Sequence, residues 1–380
     1  MAIQRFQINV SEDLLQDLNY RLSHARFSKQ LFDTGWERGT DPLFLESLIS
    51  YWREQYDWRK QESQLNQFHQ YICHLEDMDI HFVHEKGKGP NPIPIILTHG
   101  WPDSYLRFKK IIPLLTDPAS YGGNPEDAFD VIVPSLPGFG FSGSPKEPGI
   151  NNDKVSSLWK KLMTDELGYR QFGAAGGDMG SGVTRYLAYN HPESLVGIHL
   201  TDVGIIRELL TSADLDLSEE ELNYKQAAQN WIAKEGAYMS IQSTKPNTLA
   251  YGLSDSPIGL AGWLTEKFHS WSDCNGDLNG YYSMDELITH IMIYWITNTI
   301  GSTAHMYYEN SHSLPALGNI EVPTGIALFP EDILPPPMEW VKKHYNITRL
   351  TTLPRGGHFT AMEEPELLAE EIRAFFRPLR

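Results

Sequence analysis

The run Gly176-Gly177-Asp178-Met179-Gly180 constrains this chain more than any other stretch. Before it, residues 171–175 read as a short buried strand. After it, residues 183–189 read as a helix. Small residues two before and two after a central reactive residue mark a nucleophile elbow. Only minimal side chains let the chain turn that sharply and push the central residue out above a sheet. Here that residue is Asp178, where esterases and lipases place a serine. A carboxylate suits attack on an alkyl carbon and is left as an alkyl ester. The reading therefore moves from ester hydrolysis towards epoxides or alkyl halides. The competing reading makes Asp178 a helix cap in a glycine-rich turn, so the rest of the chain has to decide.

The rest of the pattern is strand and helix in alternation. Residues 71–75 and 80–85 alternate in polarity and read as a half-buried pair near a sheet edge. Residues 93–98, 129–134 and 195–201 are nearly continuous apolar runs and read as central strands. Helical patterns at 105–115, at 155–167 and after Asp178 separate them. Strands at 324–329 and 347–353 follow later, with helices at 338–345 and from Pro365. Such alternation gives a mostly parallel sheet with helices on both faces.

Two stretches stand apart. Residues 1–68 read as a helical arm that precedes any strand and packs on the main body. Ser11 can cap a helix with Glu12 and Asp13 in its first turn, and Leu14, Leu15, Leu18 and Leu22 repeat at helical spacing. A second helix starts at Asp41-Pro42 and carries Phe44, Leu45, Leu48, Ile49 and Trp52 on one face. Residues 205–310, with Trp231, Trp263, Trp271 and Trp295, read as a helical cap (lid) inserted over the sheet. The α/β core is then 69–204 and 311–380.

Composition sets further bounds. A chain of 380 residues, 41% hydrophobic, can bury one large domain with an insertion. The net charge of −18, without a basic stripe, speaks against a nucleic-acid partner. The two cysteines, Cys73 and Cys274, read as free thiols of a reducing compartment. No apolar run reaches the length of a signal peptide or a membrane span. The expectation is a soluble, cytoplasmic protein, with oligomeric state open and a homodimer allowed.

Sites in open α/β sheets lie at the carboxyl ends of the strands. Asp332 follows the strand at 324–329. His358, within Arg355-Gly356-Gly357-His358-Phe359, follows the strand at 347–353. The chain order is nucleophile, acid, histidine. Glu331 beside it and Asp202 after the strand ending at Thr201 compete with Asp332 for the acid's place. His99-Gly100-Trp101-Pro102 follows the central strand at 93–98, where a loop can supply a backbone N–H to an oxyanion hole. The candidate donors are the N–H groups of Trp101 and of Met179.

Three other patterns carry less weight. Gly140-Phe141-Ser142-Gly143-Ser144 lacks the final glycine of a serine elbow. His81 and His84, three apart on a strand, face opposite sides and make a poor metal pair. The loop from Asp273 to Gly280 lacks the sixth-position glycine and twelfth-position glutamate of a calcium loop.

In this order the motifs resemble those of the microsomal-type epoxide hydrolases, within the α/β-hydrolase superfamily. The resemblance spans nearly the whole length. It includes the N-terminal arm, His99-Gly100-Trp101-Pro102, the Asp178 elbow, Phe329-Pro330-Glu331-Asp332 and the end from Gly356 through His358 to Pro365. It implies an α/β-hydrolase fold with helical cap and arm, no cofactor or metal, and a small hydrophobic epoxide and water as partners. It implies Asp178 as nucleophile, His358 as general base and Asp332 as its orienting acid, with a vicinal diol as product. It also implies two cap tyrosines facing the nucleophile, matched to Tyr238 in 238–246 and to Tyr307 in 305–309, with Tyr308 pointing elsewhere. An opening epoxide turns its oxygen into an alkoxide, and two phenols can stabilise that charge. Animal members carry an N-terminal membrane anchor, and no such run is found at the start of this sequence. Two alternatives remain. A haloalkane dehalogenase would place a tryptophan where Met179 stands and would leave the tyrosine pair idle. A non-catalytic binding protein of this fold would have lost its nucleophile or base.

Overall fold

The computed structural model describes residues 3–29, 34–204, 210 and 212–380. Residues 205–209 and 211, where the cap was expected to begin, lie outside this set, as do 1–2 and 30–33 of the arm. Among the described residues nine strands are formed: β1 Gln4–Phe6, β2 Gln70–Leu75, β3 Met78–Glu85, β4 Ile93–Thr98, β5 Phe129–Pro134, β6 Phe172–Gly176, β7 Leu195–Leu200, β8 Ile320–Leu328 and β9 Tyr345–Thr352. They join in one sheet in the order β1-β2-β3-β5-β4-β6-β7-β8-β9. From β5 to β9 all neighbours are parallel. β1, β2 and β3 add an antiparallel margin beside β5.

The parallel strands are covered on both faces, so their sequences run apolar without alternation. Ile95, Leu97, Val131, Val133, Ile198 and Ile326 are all fully buried. The chain leaves β4 for β5 on one side and β6 for β7 on the other. β4 and β6 are neighbours, so the crevice beyond their carboxyl ends is the topological switch point of the sheet. The loops there carry His99-Gly100-Trp101 and Gly177-Asp178.

Three expectations need correction. The arm does hold a strand: β1 pairs with β2, Phe6 opposite Gln70, and covers the edge that β2 would otherwise expose. Three residues are too few for a period-two pattern to show. Residues 105–115 are not one helix but a 3-10 turn, Tyr105–Phe108, and a separate helix, Ile111–Thr116. Pro113 lacks an N–H and its ring would strike the carbonyl four residues back, so it sits only in the first turn of a new helix. The helix expected at 155–167 is Asn152–Lys161, capped by the Asn151 side chain, and continues as a π turn over Leu162–Glu166.

Other ends follow the local chemistry. The Ser11 hydroxyl accepts from Leu14 N at the start of Glu12–Ser23, and the Asp41 carboxylate accepts from Leu43 N and Phe44 N at the start of Pro42–Glu54. Tyr51 and Gln61, from the arm, hydrogen-bond Asp285 at 3.1 Å each. Asp285 lies in Met284–Thr297, one of the helices between β7 and β8. Among the described residues these include Glu219–Glu235, Ala237–Thr244, Pro246–Asp255, Pro257–Trp271, Leu278–Tyr281, Met284–Thr297 and Ile300–Ser313. They reach over the sheet's carboxyl end: Tyr294 Oη donates to the Asp103 carbonyl at 2.8 Å, and Ser302 Oγ to that of Gly138 at 2.5 Å. Cys73 and Cys274 are buried free thiols. No described helix is long and apolar enough to cross a membrane.

Candidate active site

Asp178 ends the turn after β6 with φ 54° and ψ −133°, a conformation that costs a non-glycine residue about 1–3 kcal/mol. Two close approaches hold it there. A Cβ on Gly180 would lie 1.9 Å from the Thr98 carbonyl oxygen, so only glycine lets the following helix sit against β4. A Cβ on Gly100 would lie 2.2 Å from Asp178 Oδ1, so the β4 loop can pass the carboxylate only as bare backbone. That passage brings Trp101 N–H to Asp178 Oδ1 at 2.9 Å, and Met179 N–H reaches the same oxygen at 2.6 Å. One carboxylate oxygen is thus fixed by two backbone donors.

The other oxygen faces a histidine. His358 Nε2 stands 3.1 Å from Asp178 Oδ2, and His358 Nδ1 stands 2.8 Å from Asp332 Oδ1. Burial works against charge on this imidazole, but the Asp332 charge and the hydrogen bonds to Asp178 and Asp332 outweigh it. The pKa is raised to about 10. His358 is therefore an imidazolium between two carboxylates at neutral pH. Neither rival acid is the one bonded to the imidazole Nδ1. Glu331 is exposed and contributes only backbone pairing, its N–H donating to the Gly356 carbonyl at 3.2 Å. Asp202 accepts from Gly204 N–H at 2.8 Å. Burial first, and then the Asp332 charge, raise its pKa to about 6.

Tyr238 and Tyr307 pack on the Trp101 side chain, within reach of the Asp178 charge. The Tyr238 ring stacks on Trp101 with centroids 5.3 Å apart and planes 5° from parallel. Tyr307 meets Tyr238 edge-on at 5.9 Å and Trp101 edge-on at 5.7 Å. Burial first, then the Asp178 charge, push the Tyr238 phenol upward. For Tyr307 burial comes first, followed by Tyr238 and Asp178. Both therefore stay neutral donors. Tyr308 points outward, 36% exposed, and stacks on His312. All seven sequence-derived residues, the backbone donors of Trp101 and Met179 included, converge on one place.

Several supports were not anticipated. Asp103 Oδ1 accepts from Gly100 N–H at 2.9 Å, and the Asp103 carboxylate pairs with Arg107. Burial alone would raise the Asp103 pKa, but Arg107 and His99 hold it well below the usual carboxylate range. Arg107 Nη2 also donates to the His358 carbonyl at 2.5 Å. One buried ion pair thus ties the Trp101 loop to the His358 loop. The Glu363 carboxylate accepts three backbone N–H groups, from Gly357 and Asp273 at 2.9 Å and from Phe359 at 2.7 Å. Asp273 Oδ2 accepts from Gly356 N–H at 2.9 Å, so the loop set aside as a calcium site clamps the histidine turn. The spacing of Asp103 and Arg107, four residues apart, was the available signal.

The remaining patterns are structural. Ser142 Oγ accepts from His81 N–H and donates to the Ser135 carbonyl. His81 bonds Ser135 and Gln70, whereas His84 bonds Tyr169. Among the described residues no group of three or more His, Cys, Asp or Glu side chains is placed to hold a metal ion.

The sheet order and the elbow define an α/β-hydrolase with an aspartate at the elbow. Residues 93–325 match the α/β-hydrolase fold family and residues 3–108 match the family of the epoxide hydrolase N terminus. The chain is 42% identical to a Stigmatella aurantiaca protein assigned to the epoxide hydrolases, over all of this chain and 86% of that one. It is 37% identical to epoxide hydrolase 1 of Sus scrofa, over 98% of this chain and 88% of the relative. The crystal structure of juvenile hormone epoxide hydrolase from Bombyx mori superposes with a TM-score of 0.86 at 29% identity, covering 100% of this chain and 94% of that one. The chain belongs to the microsomal-type epoxide hydrolase family.

Proposed function

We propose that this epoxide hydrolase works in two covalent steps on Asp178, dividing at the boundaries given above into arm, α/β core and cap. The observation that carries the reading is the unequal treatment of the two Asp178 oxygens. Oδ1 is held by the N–H groups of Trp101 and Met179, while Oδ2 takes no backbone donor and meets only His358 Nε2 among these groups.

Oδ2 attacks an oxirane carbon, and the ring C–O bond breaks as Tyr238 and Tyr307 hydrogen-bond the leaving oxygen. The product is an alkyl ester on Asp178. The carboxylate charge that held the His358 proton is gone, so that proton balances the alkoxide, passing through a phenol. His358 is left neutral, with Asp332 still on Nδ1. It then takes a proton from water, which attacks Cγ of the ester. The oxyanion forms on Oδ1, against the two N–H groups already in place. Collapse of the adduct releases a vicinal diol and restores Asp178 and the His358 imidazolium. The substrate is a small hydrophobic epoxide and the co-substrate is water.

Halide chemistry is less well supported. Met179 offers no side-chain donor beside the nucleophile, where a halide-binding tryptophan would stand. A single turnover in heavy-oxygen water tests the reading. Attack by Asp178 gives first-turnover diol with ordinary oxygen at both carbons and puts the label on Asp178. Full label in that diol would mean direct attack by water and would refute the covalent step.

A further inference from the structure

One buried charge beside the site is idle in the two steps above. Lys267, in the helix Pro257–Trp271, is 5% exposed, and its Nζ pairs with Glu266 Oε2 at 2.6 Å. Burying an ammonium group is costly unless something near it uses the charge. The same Nζ lies 4.7 Å from the centroid of the Tyr238 ring and 5.5 Å from that of Trp271. Trp271 in turn touches the base. Its indole meets His358 edge-on at 5.3 Å, and its carbonyl accepts the His358 N–H at 2.8 Å.

Tyr238 is otherwise surrounded by groups that oppose negative charge on its oxygen. Burial, Asp178, Glu266 and Asp202 all act in that direction, and only the contact with Tyr307 acts against it. Yet as the oxirane oxygen gains charge, a phenol bonded to it takes on part of that charge. A cation over the ring is drawn to a neutral phenol by its quadrupole and more strongly to one carrying negative charge. The attraction therefore grows between ground state and transition state, and only such growth speeds a step.

We infer that Lys267 is a positioning residue for ring opening: its ammonium holds the Tyr238 ring and stabilises the charge that Tyr238 accepts from the opening oxirane oxygen. This rests on Tyr238 being a donor to that oxygen. Of the two rings under the Lys267 ammonium, the nearer is that of Tyr238, at 4.7 Å against 5.5 Å for Trp271, so its effect falls on the first half-reaction.

Single-turnover rates of ester formation and ester breakdown, for the full chain and four variants, test this. Lys267→Met should slow ester formation on the order of ten- to a hundredfold and leave ester breakdown unchanged. Lys267→Arg, which keeps the charge, should restore most of the loss. In a Tyr238→Phe background, Lys267→Met should cost little more, because the residue it acts through is already gone. If the methionine variant does not fold, Lys267→Gln, which keeps a donor to Glu266, takes its place in the cycle. An equal loss with and without the Tyr238 hydroxyl, or equal slowing of both half-reactions, would show that Lys267 serves packing and would overturn the inference. Full-speed ester formation in Tyr238→Phe alone would instead overturn the role of Tyr238, a separate result readable from the same data.

Discussion

His358 Nε2 approaches Asp178 on Oδ2, the oxygen that the backbone donors leave free, at 3.1 Å. The base therefore stands at the carboxylate oxygen that is free to react. Once Oδ2 carries an alkyl group, a water beside Nε2 faces the ester carbon. The roles separate in time: the tyrosines meet the charge of ring opening, and His358 acts as a base only in the second step.

That separation can be trapped. His358→Gln keeps a polar side chain but no base, so ester formation should persist while its breakdown slows on the order of a hundredfold or more. Mass spectrometry after mixing with an aryl epoxide should show an adduct on the peptide that contains Asp178. A variant that binds substrate and forms no adduct would count against this division of labour.

The acid can be assigned by a pair of variants. Asp332 Oδ1 touches His358 Nδ1 at 2.8 Å, whereas Asp202 Oδ1 accepts from Gly204 N–H at 2.8 Å. Asp332→Asn should cost on the order of a thousandfold or more in turnover, through a misoriented imidazole. Asp202→Asn should stay near normal. The reverse pattern would move the acid to the strand end at Thr201.

Titration of His358 also shapes stability. Its folded pKa is raised to about 10, against ~6.5 for an ordinary histidine. Between those values the folded chain keeps a proton that the unfolded chain has lost. The stabilisation is therefore complete below pH ~6.5 and is lost as pH rises through about 10. Chemical denaturation at pH 7 and at pH 10 should show a larger alkaline loss for the wild type than for His358→Gln. Parallel losses would mean that the imidazolium is not held as its two carboxylate contacts imply.

What could be read from the chain was what local chemistry writes into neighbouring residues. The elbow is legible because Gly100 and Gly180 must be bare beside Asp178 and Thr98. β4 and β5 are legible because both their faces are covered. Helix starts at Ser11 and Asp41 are legible from their caps. The missed parts depend on partners far apart in the chain. β1 exists because Phe6 meets Gln70, Glu363 matters because Gly357, Phe359 and Asp273 come to it, and Lys267 matters because Tyr238 arrives from another helix. The tyrosine pair stands between these cases. Among 18 tyrosines only their surrounding segments single them out, and only the fold brings their rings to 5.9 Å.

Those rings carry the sharpest test of epoxide chemistry. Each phenol should strengthen its hydrogen bond as the ring oxygen gains charge, so removing it slows alkylation more than binding. Phenylalanine at Tyr238 or Tyr307 keeps the aromatic packing on Trp101 and removes only the hydroxyl. Each single variant should lose on the order of a hundredfold in the pre-steady-state alkylation rate, and the double variant nearly all of it. Tyr308→Phe should match the wild type, since its ring faces solvent and His312. A severe loss at Tyr308 with none at Tyr307 would shift the helix register by one residue. No loss at any of the three would remove the donors from the mechanism, and with them the chief reason for an epoxide in place of a halide.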